Sequence, residues 1–287
     1  MMSSETIFEM NNNNKIIGHY PEVQNSTIKF TGSNNILYCE ANVQLVDSKL
    51  SFEGSNSVVY LSPSNSPYRL SLFIHSNSVF HIGANFSVNK PITVILSEQK
   101  HCFIGDNCMF SYGITFRNSD IHPIYSCSSG TRLNKSKSIY VGDHIWIGQD
   151  ACILKGTEID SGCIIGAKSL VAGKKIPNNT SYGGNPCKQI KSGIFWDREI
   201  VSNWTSEQTE KSMSYSSLNS DRKSHYGKNF PDDIWIYEYN ASECIEWNEL
   251  ENTFSSPDLS PMQKCEYLIR LNELKSKNRF VHKHSKQ

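Results

Sequence analysis

The sequence predicts an all-β fold, a parallel β-helix, and three observations predict it. Six hexads run in phase from Val141 to Ile176, beginning at Val141, Ile147, Ile153, Ile159, Ile165 and Val171 and reading VGDHIW, IGQDAC, ILKGTE, IDSGCI, IGAKSL and VAGKKI. Upstream, segments beginning at Ile28, Leu50 and Leu72 recur at spacings near 22 residues; each pairs an apolar alternation with a Ser-Asn corner and a second apolar strand at Ile36, Val58 or Val79. Between the two, further hexads begin at Ile82, Ile104 and Phe110. A period of six is foreign to the α-helix, whose apolar stripe recurs every three to four residues. It suits a coil with faces of about six residues, the branched residue inward and Gly or Asp near the corner. The fifth hexad position is mostly small or apolar (Ile145, Ala151, Thr157, Cys163, Ser169), with Lys175 the departure.

The elements follow in order. Residues 1–20, with the Asn run at 11–14, read as a flexible start; they hold neither a basic region nor an apolar run, so no signal peptide is expected. Residues 21–193 form the β-helix. Three hexads make about 18 residues, so a 22-residue repeat reads as a coil with extra corner residues; a separate β-sandwich over the early segments is the rival. From Asn118 to Lys137 the pattern breaks into NSDIHPIYSCSSGTRLNKSK, and this loop, 118–137, must bulge from the stack because strict hexads resume after it. Loops of such length are usually functional or disordered. Residues 194–287 form a C-terminal extension. Its aromatic start, 194–204, is expected to dock on the end of the solenoid, and 205–229 reads as a linker. Ser260-Pro261 is an N-cap followed by proline at the first helical position, and Cys265, Leu268, Ile269 and Leu271 form an apolar patch, predicting a helix over 261–277. The basic tail beyond reads as a solvated terminus.

The bulk numbers exclude several classes. Twenty-eight basic and 28 acidic residues cancel, so no nucleic-acid or membrane-surface partner is indicated. No stretch approaches the ~20 apolar residues of a membrane span. The nine cysteines are scattered without a CxxC pair and read as reduced, packed thiols of a cytoplasmic protein, with no metal site expected.

A solenoid has no catalytic power of its own, so function must come from a site. His122 stands in the loop within Ser119-Asp120-Ile121-His122-Pro123, and a neutral imidazole accepts a hydroxyl proton near neutral pH. Trp146 occupies a hexad position where a small or polar residue is cheaper to expose, so it can wall a groove between coils. The hexads end in Ala172-Gly-Lys-Lys-Ile-Pro177, then Tyr182-Gly-Gly-Asn-Pro-Cys-Lys188-Gln-Ile-Lys191; small residues leave room for an extended ligand, and Lys174, Lys188 and Lys191 suit phosphates.

Together these residues resemble the hexapeptide-repeat acyltransferases, particularly the maltose and galactoside O-acetyltransferase branch and the capsule-modifying O-acetyltransferases. The resemblance runs from about Ile82 to Lys191, through IGANF, IGDN, the SDIHPI loop, VGDHIWIGQDACILKG, IIGAKSLVAGKKIP and GGNPCKQIK. It implies a left-handed β-helix, a homotrimer with active sites between subunits, and acetyl-CoA as donor. It implies His122 as the catalytic base, Asn89 and Trp146 in the acceptor and acyl pocket, and Gly148, Gly166, Ala172, Lys174, Lys188 and Lys191 along CoA. Two departures stand out: Ala172-Gly173-Lys174 is one residue longer than the family's usual Thr-Lys, and lysines replace frequent arginines.

The leading expectation is therefore transfer of acetyl from acetyl-CoA to a hydroxyl of a bacterial surface polysaccharide, capsule or O-antigen, with the extra coils and the extension lengthening the surface for a polymer. The alternatives are N-acetylation of an amino sugar nucleotide, a non-enzymatic scaffold, and a metal-dependent hydrolase on His101, His122 and His144. Cys127, close to His122, is a further nucleophile candidate without motif support.

Overall fold

The computed structural model describes residues 5–64, 66–213, 236–274 and 276–284. The chain winds through three faces in turn. The first face runs from Asn14–Gly18 through Ile36–Cys39, Val58–Leu61, Val79–Ile82, Cys102–Ile104, Ile139–Val141 and Glu158–Ile159 to Lys175–Ile176, all parallel. The second face comprises Glu22–Gln24 and Gln44–Val46, then Ser87–Val88, Met109–Phe110, Trp146–Ile147, Ile164–Ile165 and Thr180–Gly183. The third runs from Thr27–Phe30 to Leu170–Ala172. All six hexad-leading residues from Val141 to Val171 are fully buried, as are Ile145, Ala151, Thr157 and Cys163. Each such branched side chain contributes roughly 1.5–3 kcal/mol by leaving water.

The early segments are coils of the same solenoid. Ile28 pairs with Leu50, Leu50 with Leu72, Ile36 with Val58 and Val58 with Val79. Their extra residues turn corners in the left-handed region, where Asn is the side chain best tolerated: φ is 56° at Asn34, 61° at Asn56 and 56° at Asn77. The coil lengthens from 22 residues (Phe80 to Cys102) to 37 (Cys102 to Ile139) where the loop leaves, then settles at 18 (Cys152 to Leu170).

The N-terminal segment departs from the expected flexible start from residue 5 onward. Ile7–Met10 lies antiparallel on Asn14–Gly18, closing the open end of the first sheet. The Asn run forms a short 3-10 turn with Asn12 at φ 59°, and the buried Asn14 donates to Gly32 O (2.9 Å) and accepts from Asn35 N (2.9 Å). Asparagine supplies both the left-handed backbone and an amide for the solenoid's orphan groups.

The extension has three described helices: α1, Ser206–Lys211; α2, Trp247–Ser255; and α3, Pro261–Glu273. Of the expected linker, residues beyond Met213 lie outside the described ones. A capping box of Ser260 and Gln263 starts α3, and the helix ends four residues before Lys277. Leu250 and Phe254 of α2 and Cys265, Leu268 and Leu271 of α3 pack on the outer side of the first face, against Tyr38, Tyr60, Phe103 and Tyr140. That face is consequently buried on both sides, whereas third-face strands such as Leu70–Ile74 alternate.

The tail is not a solvated terminus through residue 284. Arg279 is 1% exposed and pairs with Asp143 (2.8 and 2.9 Å) and Asp106 (2.8 Å) at the first-to-second corner. Phe280 O accepts from Ser161 N (3.0 Å), and His282 and His284 lie 2.6 and 2.7 Å from the buried carboxylate of Asp160. Carboxylates stand on three successive corners, those of Asp143 and Asp160 buried, and the tail supplies their partners: Arg279 for Asp106 and Asp143, His282 and His284 for Asp160.

Candidate active site

The loop leaves the third-to-first corner after Thr115–Arg117 and is an ordered projection. At its base the buried Asn118 exchanges bonds with the Ser97 backbone (2.9 and 3.2 Å). Glu98 accepts from Arg132 (2.6 Å), Ser136 (3.0 Å) and Ser119 (3.2 Å), and the Arg132 bond above all holds its carboxyl below the usual range. Higher up, Asp120 pairs with Lys155 and accepts from Asn134 (2.9 Å). The Lys155 bond, then that of Asn134, lowers its pKa. Asn134 also donates to His122 O (2.8 Å) and accepts from Ile124 N (2.8 Å).

His122 sits one residue beyond a strained turn. Its N–H bonds to Asp120 O (2.8 Å) around Ile121, which has φ 68°, an outlying value for a β-branched residue. Such strain costs about 1–3 kcal/mol and persists where surroundings over-determine it; Asn134 and Ser119 supply that constraint. The loop fixes the His122 backbone, but among the described residues nothing bonds its exposed ring.

Trp146 faces outward on the second face, 39% exposed, in register with Met109 on one side and Ile164 on the other. Trp196 stands 5.9 Å from it, ring centre to ring centre, and stacks on His144 at 3.9 Å. Its indole N–H donates to His144 O (3.1 Å). Arg198 follows the same corner, donating to Ser87 Oγ (2.7 Å) and to the carbonyls of Asn107 (2.7 Å) and Cys108 (3.0 Å). Sequence reading placed 194–204 at the solenoid's end and missed that Trp196 widens the Trp146 wall.

Asn89, Gly148 and Gly166 occupy the second-to-third corner, Gly148 and Gly166 in successive coils and Asn89 two coils before Gly148, all beside the strip that carries Trp146. Gly148 is required by packing, since a Cβ there would lie 2.6 Å from Ala167 N. Gly166 is not: its nearest neighbour would be Tyr182 O at 3.5 Å, so its bareness leaves open surface. Ala172 and Lys174 are exposed at the end of the third face, and Cys187 N bonds to Leu170 O (3.2 Å) across it. Burial pushes the Cys187 thiol up, and the nearby Lys174 charge opposes this. Lys188 and Lys191 lie exposed on Lys188–Ser192, antiparallel to Thr180–Gly183. The residues expected along CoA thus gather toward one end of the solenoid. His122 does not join Trp146 and Asn89, because its loop rises from the corner opposite the second face.

His101 and His144 do not converge on His122. His101 Nε2 lies 3.0 Å from Ser255 Oγ under α2. His144 Nε2 lies 3.1 Å from Trp196 O. Burial lowers both pKa values to about 3. Cys244, Glu246 and His282 bring ligand-type atoms within 4.8 Å of one another, but His282 Nδ1 is committed to Asp160 and Nε2 lies 3.1 Å from Ile245 O. Cys127 is exposed in the loop.

No domain-family profile matches the chain. It is 30% identical over 201 residues to the polysialic acid O-acetyltransferase of Neisseria meningitidis, covering 69% of this chain and 93% of that protein. It is 30% identical over 125 residues to the galactoside O-acetyltransferase of Escherichia coli K12, covering 42% of this chain and 57% of that enzyme. Among solved structures, the polysialic acid-specific acetyltransferase NeuO superposes with a TM-score of 0.59 at 27% identity, over 70% of this chain and 90% of that one. A parallel solenoid broken by a histidine-bearing loop, and a relative matched over nearly its whole length, lead to one assignment: the chain belongs to the hexapeptide-repeat O-acetyltransferases.

Proposed function

We propose that the chain transfers acetyl from acetyl-CoA to a sugar hydroxyl of a bacterial surface polysaccharide, a capsule or O-antigen glycan. The likeness to a polysialic acid O-acetyltransferase, at 30% identity over 93% of that protein, carries this reading. A relative of 30% identity over 118 residues, described as an O-acetyl transferase of lipopolysaccharide biosynthesis in Escherichia coli K12, supports the polymer class.

His122 acts as general base, taking the hydroxyl proton as the sugar oxygen attacks the thioester carbonyl and expels CoA as thiol. Such assistance is worth ~10²–10⁴-fold, and a backbone N–H at the developing oxyanion contributes comparably. Trp146, with Trp196 beside it, walls the acyl and acceptor pocket, and Asn89 contacts the acceptor. Gly166 and Ala172 leave room along the pantetheine arm; Lys174, Lys188 and Lys191 meet the phosphates.

The separation of His122 from Trp146 within one chain supports a homotrimer whose sites form between subunits, the loop of one reaching the second face of the next. The loop's exposed apolar side chains, Ile121 (51%), Ile124 (54%), Tyr125 (56%) and Leu133 (66%), suit such an interface. All nine cysteines are unpaired, and no described helix is long and apolar enough to cross a membrane, which fits action in the cytoplasm before the polymer is exported.

The test is thiol release from acetyl-CoA against a panel of purified capsular and lipopolysaccharide glycans, with simple sugars and amino sugars alongside. One glycan should support turnover, and His122→Ala should lower it by ~10²-fold or more. Turnover on amino sugars alone, or a near-normal rate in His122→Ala, contradicts the proposal.

A further inference from the structure

The corner that carries the His122 loop also carries a cleft. On the N-terminal side of the loop, Asn34, Asn56, Asn77 and Gln99 occupy successive coils at the third-to-first corner. They form one wall of a cleft of ≈490 Å³, and the turn from α2 to α3 forms the other. This volume lies within the ~300–1,000 Å³ of small-ligand sites. Asn34 donates to Asn56 (2.8 Å), whereas the side-chain amides of Asn77 and Gln99 have no hydrogen bond among the described residues.

Lys264 lines the same cleft and is 6% exposed. Among the described residues its ammonium has neither hydrogen bond nor ion pair. The Glu251 carboxylate is already occupied, taking Lys100 (2.5 Å), Ser255 (3.0 Å) and Tyr140 (2.8 Å). Asp258 is the other charged side chain on the lining. Burial pulls the Lys264 pKa below the usual lysine value. An unpaired ammonium on a buried stem, beside uncommitted amides, suits an anion that also bears hydroxyls.

We infer that this cleft is a second glycan subsite, in which the Lys264 ammonium takes the carboxylate of an acidic sugar residue of the acceptor while Asn77 and Gln99 take its hydroxyls. The inference rests on the proposed function for its ligand class and narrows that class to acidic polymers. Placement supports it. Strands stack ~4.8 Å apart, so the four corner residues span roughly 14 Å along the edge. The series ends at Gln99, next to Glu98, which clamps the base of the catalytic loop. A polymer seated here runs along the corner toward His122, and the early coils and the extension together build its track.

The experiment compares wild type, Lys264→Met and Asn77→Asp as full chains. Methionine keeps the aliphatic stem, and aspartate tolerates the left-handed backbone while adding a repelling charge. Calorimetric binding of polysialic acid without acetyl-CoA is measured first, then binding of the same polymer with its carboxyl groups reduced to alcohols. Both variants should weaken binding of the acidic polymer about tenfold, the scale of one charge-assisted hydrogen bond. The reduced polymer should bind wild type and Lys264→Met alike. Where turnover is seen, the KM for the polymer should rise about tenfold in Lys264→Met at unchanged kcat. Unchanged affinity in Lys264→Met, equal wild-type affinity for acidic and reduced polymer, or no wild-type binding overturns the inference. Binding is read without acetyl transfer, so loss of the subsite and loss of the proposed reaction are distinguished.

Discussion

Replacing Arg279 by Met should undock the extension, and the size of the effect can be worked from its partners. The guanidinium is 1% exposed and holds Asp143 and Asp106 through three contacts of 2.8–2.9 Å. Removing one member of a buried ion pair usually costs about 3–5 kcal/mol because the other charge is stranded. Asp143 retains the Asp106 amide (2.6 Å) and Asp106 the Ala84 amide (2.8 Å), which places the loss near the lower end, about 3 kcal/mol. Burial already pushes the Asp143 carboxyl up, against the pull of Arg279. Without the arginine, its folded pKa rises further above the unfolded value, so stability of the variant falls more steeply as pH rises. The penalty should therefore be larger at pH 8 than at pH 5. Native-state hydrogen exchange reads this locally, at the Ile245 amide bonded to Arg279 O and the Ser161 amide bonded to Phe280 O. A loss of 3 kcal/mol corresponds to about 150-fold faster opening. Adding Asp143→Asn should recover much of it. Exchange within threefold of wild type, or a penalty that does not shrink toward pH 5, refutes the reasoning.

Two further outcomes are expected. His282 gains Asp160 in the folded state: burial opposes its charge, but the Asp160 bond and field win and its pKa is raised. Its contribution is full below the unfolded value near 6.5 and is lost as pH rises through the folded value. The thermal stability of wild type should therefore fall more than that of His282→Gln as pH rises above about 6.5. The buried His81, His101 and His144 act with the opposite sign, their pKa values lowered by burial to about 4, 3 and 3, so their contribution is lost as pH falls below about 6.5. Single Lys174→Ala, Lys188→Ala and Lys191→Ala variants should raise the KM for acetyl-CoA more than they lower kcat; unchanged donor KM in all three counts against their role.

The solenoid was legible because its code is local. A branched residue every six positions and an Asn corner every 22 declare a coil without reference to any distant partner, and the register observed pairs the same residues that the repeat aligned. The extension was hidden because its anchors are remote: Arg279 answers Asp106 and Asp143, and His282 answers Asp160, with no pattern linking them along the chain. One local clue existed. The strands ILYC, VVYL and VFHI are apolar without alternation, the signature of a sheet covered on both faces. The Asn run misled because amide-rich composition resembles disorder when its corner positions are unknown. His122 and Trp146 were readable as residues, but their placement on opposite sides of one chain follows only from the three-face topology.

That placement makes subunit mixing the most direct test. His122→Ala and Trp146→Ala variants, each nearly inactive alone, are denatured together in equal amounts, reassembled, and assayed for acetyl transfer. If each site takes His122 from one subunit and Trp146 from the next, random assembly into rings restores about a quarter of wild-type activity. If one chain supplies both, every mixed site lacks one of them and activity stays at the level of the separate variants, which contradicts an active site built between copies.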